Sequence, residues 1–530
     1  MHRQLECDVK SGGRLMRAST SFLGASQNLV LLLFLLFSMT AAFAQGIGAD
    51  KEIRTPPPPA TPRINGPGIY GAHPGHPFLY RIPATGAKPI KFSAKGLPKG
   101  LMLNSETGII SGSVKSAGKY VVQLHASNAR GKAGRSFRIV IGDTLALTPP
   151  MGWSTWYMAY TNISQKMVLA QADAMISSGL ADHGYSYVNI DDGWNRKPDS
   201  KDASIDPPTR DAQGNMLTSS NFPDLKAMTG ELHGKGLKTG IYTSPGPRTC
   251  GGYQGTYQHE EQDARQFAAW GFDFLKYDLC SYAELMKDRH NNDEAKKPYQ
   301  LMGSILAKLD RDFVFNLCEY GWGDVSQWAR EVGGNFWRTT DDVGAGLDGS
   351  LWKSMDAYGF GEAGLEKYAG PGGWNDPDNI LLGKIIWKDK LVPTPLTPNE
   401  QYTWMTLWSV LDAPLVFGGD MTQLDDFTLN VLTNDEVIAV NQDVLGKQGV
   451  PVSKSGKLEV WLKPLEDGSK AVGLFNRGDE DSDVTVKWSD LSLQGEHKVR
   501  DVWRQKDLGA FKEDFHSKVG AHGAELLRVW

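Results

Sequence analysis

Phe274-Leu275-Lys276-Tyr277-Asp278 decides how the rest of the chain is read. Its apolar residues build a short buried strand, and a lysine and a carboxylate arrive at the carboxyl end. In a barrel of parallel strands wrapped by helices, that end carries the chemistry. Outward from this stretch, further strand-like runs recur at Tyr187–Ile190, Leu237–Tyr242, Phe313–Cys318 and Leu415–Phe417, with the central strand itself spanning Phe272–Tyr277. Between them, Gln165–Ser178 and His259–Ala269 have helical patterning. Strand–helix alternation over residues 147–440 predicts a (β/α)8 TIM barrel. An open doubly wound sheet is the alternative, but no GxGxxG follows the first strand, so a dinucleotide site has little support.

The flanks have a different pattern. Residues 66–143 alternate apolar and polar with frequent turn signals, as in Lys119–His125 and Ser136–Gly142, and predict an Ig-like β-sandwich. Residues 450–530 return to alternation at Leu458–Leu462, Ala471–Phe475 and Val484–Val486, predicting a carboxyl-terminal antiparallel β-sandwich. Asn434–Val444 reads as the connecting helix. Residues 45–65, with Pro56 to Pro59, read as an extended Pro/Gly-rich linker.

Arg14 and Arg17 precede the apolar run Leu29–Met39, and Ala42-Phe43-Ala44 fits a cleavage site, so residues 1–44 read as an export signal, with Met16 as an alternative start. The run is short for a membrane span, and no stable span is expected after cleavage. A periplasmic or extracellular address follows, and it permits disulfides. Cys7 leaves with the signal. Cys250, Cys280 and Cys318 remain, an odd number, so at least one thiol is unpaired or pairs between chains.

A chain of 530 residues needs more than one core. A net charge of −5 leaves no basic footprint, so nucleic acid is not an expected partner. With no HExxH and no CxxC, no catalytic zinc is expected. Asp191-Asp192 and Asp376-Pro377-Asp378 offer oxygen ligands, yet no EF-type loop surrounds them. The sequence predicts neither a metal nor a cofactor.

Polar groups gather at the strand ends. Asp191 and Asp192 follow Val188-Asn189-Ile190, Tyr242 ends Leu237–Ile241, Glu319 follows Cys318, and Trp337-Arg338 leads to Asp341-Asp342. Carboxylates, a lysine and an arginine around one mouth suit a neutral polyol, because each can pair with hydroxyl groups. Trp153 and Trp156 are expected to cover the apolar face of a pyranose ring. Glycosidic hydrolysis needs two carboxyl groups, about 5–5.5 Å apart when the configuration is retained. Asp278, beside the Lys276 cation, is expected to be ionised and suits a nucleophile.

Seven ordered motifs carry a family resemblance. They are Thr148-Pro149-Pro150-Met151-Gly152-Trp153, Asn189–Trp194, Gly240-Ile241-Tyr242, Leu275–Asp278, Cys318-Glu319, Trp337-Arg338 and Gly373–Asp378. Residues 147–440 resemble glycoside hydrolase family 27, the retaining α-galactosidases and α-N-acetylgalactosaminidases. Gly96–Leu101 through Thr107–Gly112 similarly resembles the Ig-like modules of bacterial secreted enzymes, for which a spacer role is expected. The resemblance implies Asp278 as nucleophile and Asp342 as acid/base. It implies sugar contacts from Trp156, Asp191, Asp192, Tyr242, Lys276, Arg338 and Asp378, and a disulfide between Cys250 and Cys280. Glu319 and the bulky Trp322 lie in the region that meets the sugar's 2-position, and by size they favour a free 2-hydroxyl. Asp192 leaves room for a hydroxymethyl group that Glu would crowd. The expected substrate is an α-galactoside oligosaccharide or polysaccharide. β-L-Arabinopyranoside, α-N-acetylgalactosaminide, α-glucan, or non-catalytic carbohydrate binding are the alternatives.

Three positions depart from the family pattern. Asn379 replaces a common Met beside Asp378, Thr243-Ser244-Pro245-Gly246 replaces an acidic loop, and Gly334 lies where some relatives have a cysteine to pair with Cys318. Cys318 is therefore expected to be a free, buried thiol.

Overall fold

The computed structural model describes residues 52–288 and 291–530. The export signal and Cys7 lie outside these residues. Eight parallel strands form one sheet: β1 (Met151–Ser154), β2 (Tyr187–Asn189), β3 (Lys238–Thr243), β4 (Phe274–Asp278), β5 (Val314–Cys318), β6 (Phe336–Arg338), β7 (Trp374–Asp376) and β8 (Leu415–Phe417). They pair in sequence order, and β8 returns to β1. The ring closes just beyond β7, where the Ile380 N–H donates to the Val416 carbonyl at 2.8 Å and the Gly418 N–H donates to Ile380 at 2.9 Å.

Side chains alternate across each strand, so every second residue faces the barrel interior. Phe274, Lys276 and Asp278 point inward from β4, whereas Leu275 and Tyr277 pack outward beneath the helices with no exposed surface. The same alternation sends Asn316 inward from β5, Arg338 from β6 and Asp376 from β7. The lowest interior layer is apolar: Tyr187, Phe274, Val314, Phe336 and Trp374 form one buried cluster at the amino ends of their strands. Above it the interior turns polar. The barrel is thus plugged below and chemically equipped above.

Most of the barrel helices start where the sequence supplies a capping side chain. The Ser164 hydroxyl accepts from the Met167 N–H at the start of α1 (Gln165–Ser177), and Asp224 does likewise for α2 (Leu225–Gly234). Next come α3 (Glu260–Trp270), α4 (Asn292–Leu306) and α5 (Leu351–Phe360), and α6 (Pro398–Leu411) opens with a Thr397/Glu400 capping box. The connecting helix runs Asp435–Asn441.

The carboxyl-terminal domain holds a six-stranded antiparallel sheet and a two-stranded one. It shares its inner face with the barrel: Trp461, Phe475 and Trp503 belong to the barrel's own hydrophobic core. Phe360 of α5 packs edge-on against Phe475 at 5.2 Å, and Tyr402 of α6 against Trp503 at 4.7 Å.

The Ig-like module keeps a core of its own, built around Ile110, Val122, Leu124, Phe137 and Ile139. It sits beneath the barrel. Arg81 and Lys88 pair with Asp182 at 3.0 and 2.8 Å, ahead of β2, and Lys238 at the foot of β3 lies 4.1 Å from the centre of the Tyr70 ring. The proline-rich stretch is tied down at both ends. Thr55 hydrogen-bonds Asn430 and Asn434, and Arg63–Ile64 pairs with Ala84–Thr85. Among the described residues, no helix is long and apolar enough to cross a membrane.

Candidate active site

The carboxyl ends of β2 to β7 bring the predicted residues to one mouth. Asp278 closes β4 and is 5 % exposed. Its Oδ2 accepts from the Tyr242 hydroxyl at 3.0 Å and its Oδ1 from the Tyr320 hydroxyl at 2.7 Å. Burial pushes its carboxyl up to about 6, against the opposing pull of Lys276 and the Tyr320 hydrogen bond. The sequence placed Lys276 beside Asp278, but the lysine's direct partner is Asp191, 2.9 Å from Nζ to Oδ2. Its charge still favours ionised Asp278, and desolvation outweighs it.

Asp191 and Asp192 follow β2. Asp192 is buried, held by the Gly251 N–H at 2.6 Å and the Thr249 hydroxyl at 2.9 Å. Burial raises it to about 7 despite those donors. Across the mouth, Arg338 at the end of β6 bridges two carboxylates, Asp342 at 3.1 Å and Asp378 at 3.2 Å. The Asp342 side chain is 44 % exposed, whereas that of Asp378 is 4 % exposed. Asp278 and Asp342 are near enough that the Asp342 charge raises the Asp278 carboxyl.

Asp378 has a φ of 88°, a left-handed conformation rare outside glycine. Its Oδ2 accepts from the Tyr157 hydroxyl and the Val343 N–H, both at 2.9 Å, and its Oδ1 from the Asn379 N–H at 2.7 Å. This many donors over-determine the strained backbone, as is common where a site needs one geometry.

Glu319 is fully buried, and its Oε2 has no hydrogen-bond partner among the described residues. Burial holds its carboxyl well above the ordinary range. Trp322 is half-buried, its ring tilted against Tyr320 at 5.3 Å. Trp156 is also half-buried and packs against Tyr160 at 5.1 Å. Trp153 is not at the mouth: it is fully buried, and its indole N–H donates to the Gly419 carbonyl at 2.7 Å. Ser154 lines the interior, so its neighbour Trp153 must face the helices.

The Cys250–Cys280 disulfide is formed, and Cys318 is free and buried. The disulfide backs the nucleophile candidate. Cys280 Sγ lies 3.2 Å from the Tyr242 hydroxyl, and Cys250 Sγ 3.3 Å from the Tyr320 hydroxyl. The Thr243–Gly246 loop runs under this turn. A Cβ on Gly246 would come within 2.3 Å of Ser281 Oγ. Asn379 lines a small cavity of about 20 Å3 together with Lys276, Arg338 and Asp376.

Sequence reasoning missed Tyr320, Tyr157, Thr249 and Gly251, which hold the carboxylates. For Tyr320 a signal existed: it immediately follows Glu319 at a strand end. For Thr249 and Gly251 none did, because a loop folds back to reach Asp192.

Known proteins resemble this chain in sequence and fold. Residues 148–443 match the family model described as α-galactosidase A, residues 455–529 that of the α-galactosidase carboxyl-terminal β-sandwich domain, and residues 61–142 an Ig-domain model. The α-galactosidase of Cyamopsis tetragonoloba is 36 % identical over 414 residues, 77 % of this chain and 92 % of that one. The α-galactosidase of Coffea arabica is 40 % identical over 394 residues, covering 73 % and 95 %. A crystal structure of a candidate α-galactosidase from Bacteroides fragilis superposes with a TM-score of 0.81 at 36 % identity, covering 91 % of this chain and 99 % of that one. With this motif set, barrel and sandwich, the chain belongs to glycoside hydrolase family 27, the α-galactosidase family.

Proposed function

We propose that the chain is a retaining exo-α-galactosidase that removes terminal α-linked galactose by double displacement. The observation that carries this reading is Asp278: a buried carboxylate at the end of β4, aimed by two phenols and within electrostatic reach of Asp342. An oxygen of Asp278 attacks C1 of the galactosyl group, the C1–O bond to the aglycone breaks, and Asp342 gives its proton to the departing oxygen. A water then gives a proton to Asp342, its oxygen bonds C1, and Asp278 leaves as a carboxylate. Two carboxyl groups suffice for this chemistry.

The rest of the mouth fits galactose. Asp191, Asp192 and Lys276 are assigned to the 4- and 6-hydroxyls. The space beyond Asp192 is tight, since a Cβ on Gly251 would sit 2.8 Å from Asp192 Oδ2. A glutamate would have to extend into the sugar's 6-position, so Asp supports a hydroxymethyl-bearing ring. Glu319, with an unsatisfied buried oxygen, is assigned to the 2-hydroxyl, and Trp322 crowds out an acetamido group. Trp156, Tyr242, Arg338 and Asp378 complete the wall. An exported address is supported by the Cys250–Cys280 disulfide, which persists in oxidising compartments.

Asp278→Ala should retain its circular dichroism and lose roughly 10^4-fold or more of its turnover of an aryl α-galactoside, as nucleophile deletions do. Turnover like the parent's would reject the assignment. Proton NMR of the first product should show α-galactose, and initial β-galactose would rule out double displacement. A panel of aryl α-galactoside, α-N-acetylgalactosaminide, α-glucoside and β-L-arabinopyranoside should show strongest turnover of the first.

A further inference from the structure

A second cluster of titratable side chains lies at the opposite end of the barrel. His73 and His76 belong to the Ig-like module, in the turn His73-Pro74-Gly75-His76 between the strands Ile69–Ala72 and Phe78–Arg81. Asp312 belongs to the barrel, just ahead of β5. His73 Nδ1 lies 2.6 Å and His76 Nδ1 2.7 Å from the same oxygen, Asp312 Oδ1. The other oxygen, Oδ2, accepts from the His73 main-chain N–H at 3.2 Å.

The turn is built to aim both rings one way. The His76 N–H donates to the His73 carbonyl at 3.4 Å, and Gly75 takes a φ of 85° that a side chain would resist. The three side chains are 33, 20 and 19 % exposed, so the cluster is ordered yet reachable from solvent. It opens on a cleft of about 370 Å3 that Asp143 also lines. The neighbouring cation, Arg311, is drawn away by Asp273 at 2.6 Å.

One carboxylate oxygen facing two imidazole nitrogens needs a proton on each of them. A single divalent ion replaces both protons, because neutral imidazoles and a carboxylate are a standard donor set for Zn2+. All three donor atoms lie within 4.8 Å of one another. A tetrahedral ion with bonds of about 2.0–2.1 Å would hold them about 3.3–3.4 Å apart. Donors now in hydrogen-bond contact need to separate by about 0.6–0.8 Å, which two partly exposed rings on a turn can do. The main-chain bond to Oδ2 orients the carboxylate, as outer contacts do in metal sites. The three residues line the cleft, which gives water access to an ion held there.

We propose that His73, His76 and Asp312 form a divalent transition-metal site of Zn2+ type that clamps the amino-terminal module to the floor of the barrel. The test uses the full chain stripped with chelator, titrated with ZnCl2 by calorimetry and followed by thermal unfolding. The parent should bind one equivalent and melt at a higher temperature with Zn2+. His76→Ala should bind at least about 10-fold more weakly and lose the Zn2+-dependent rise. Turnover of an aryl α-galactoside should be the same with and without the ion, because the cluster lies at the other end of the strands. His76 has no described side-chain hydrogen bond apart from Asp312, so the variant is expected to fold. If it does not, His76→Gln takes its place with the same expected loss. Equal affinity in parent and variant, or no saturable binding by the parent, overturns the proposal.

Discussion

Asp278 is pulled two ways. Burial favours its neutral form, while Lys276 and the Tyr320 hydrogen bond favour the carboxylate, and the balance stands at about 6. Under the proposed mechanism Asp278 attacks as the carboxylate, so kcat/KM should fall tenfold per pH unit below about pH 6. Tyr320→Phe removes a hydrogen bond to a charged group, worth about 1.5–3 kcal/mol, so kcat/KM should drop roughly 10- to 100-fold. Because that bond lowers the Asp278 carboxyl, its loss should also move the acid limb to higher pH. A drop with an unmoved limb would reduce Tyr320 to packing. Stability should run the opposite way. Asp278 and Asp376 at about 6, Asp192 at about 7 and Glu362 at about 8 all lie above their unfolded values. Folding therefore takes up protons, a gain that is complete below about pH 4 and lost as pH rises through 6 to 8. The thermal midpoint should be higher at pH 5 than at pH 8, and a flat profile would count against these buried acids. Most of the charged mouth was legible in the sequence, because period-2 strands with polar ends mark where side chains leave the core. Trp153 was misread for the same geometric reason: its neighbour Ser154 takes the inward position. Tyr320 escaped because an aromatic beside a buried glutamate reads as packing.

At the level of elements, the turn after β4 carries more than its length suggests. The Cys250–Cys280 bond closes a loop of 30 residues and touches both phenols that aim Asp278. Replacing both cysteines by serine should cost about 3–4 kcal/mol on the loop-closure scale, read by urea denaturation. The same variant should lose kcat/KM at a temperature where it is still folded, because Tyr242 and Tyr320 lose their sulfur contacts. Unchanged kinetics would confine the bond to stability. Elements with several turns or several alternations were readable: α1, α3, β4 and β5 fall within two residues of expectation, and the three-residue β8 was marked by its unbroken apolar run. The three-residue strands β6 and β7 are too short to alternate convincingly and were visible only through the polar residues that follow them. The hairpin Lys384–Trp387/Lys390–Pro393, between β7 and β8, gave no signal, since its second strand is largely exposed.

Across the whole molecule, the two flanking domains are attached by different physics. The carboxyl-terminal sandwich merges its core with the barrel and seals a salt bridge inside the seam. Lys463 and Asp412 are both fully buried and lie 2.7 Å apart. Lys463→Met would strand Asp412, whose carboxyl already stands at about 7, and should destabilise the chain by about 3–5 kcal/mol. Calorimetry should show barrel and sandwich still unfolding together, and a separate early transition for the sandwich would contradict the shared core. The domain order was plain from the changes in periodicity, but which faces meet was not, because pairs such as Arg81–Asp182 join residues a hundred positions apart. The amino-terminal module grips the underside of the barrel, while the sugar pocket opens at the far tips of the strands. Cargo carried by that module would hang below the catalyst and leave the entrance clear for a polymer arriving from above. Sequence drift at the attachment seam therefore has little leverage over which glycan is cut.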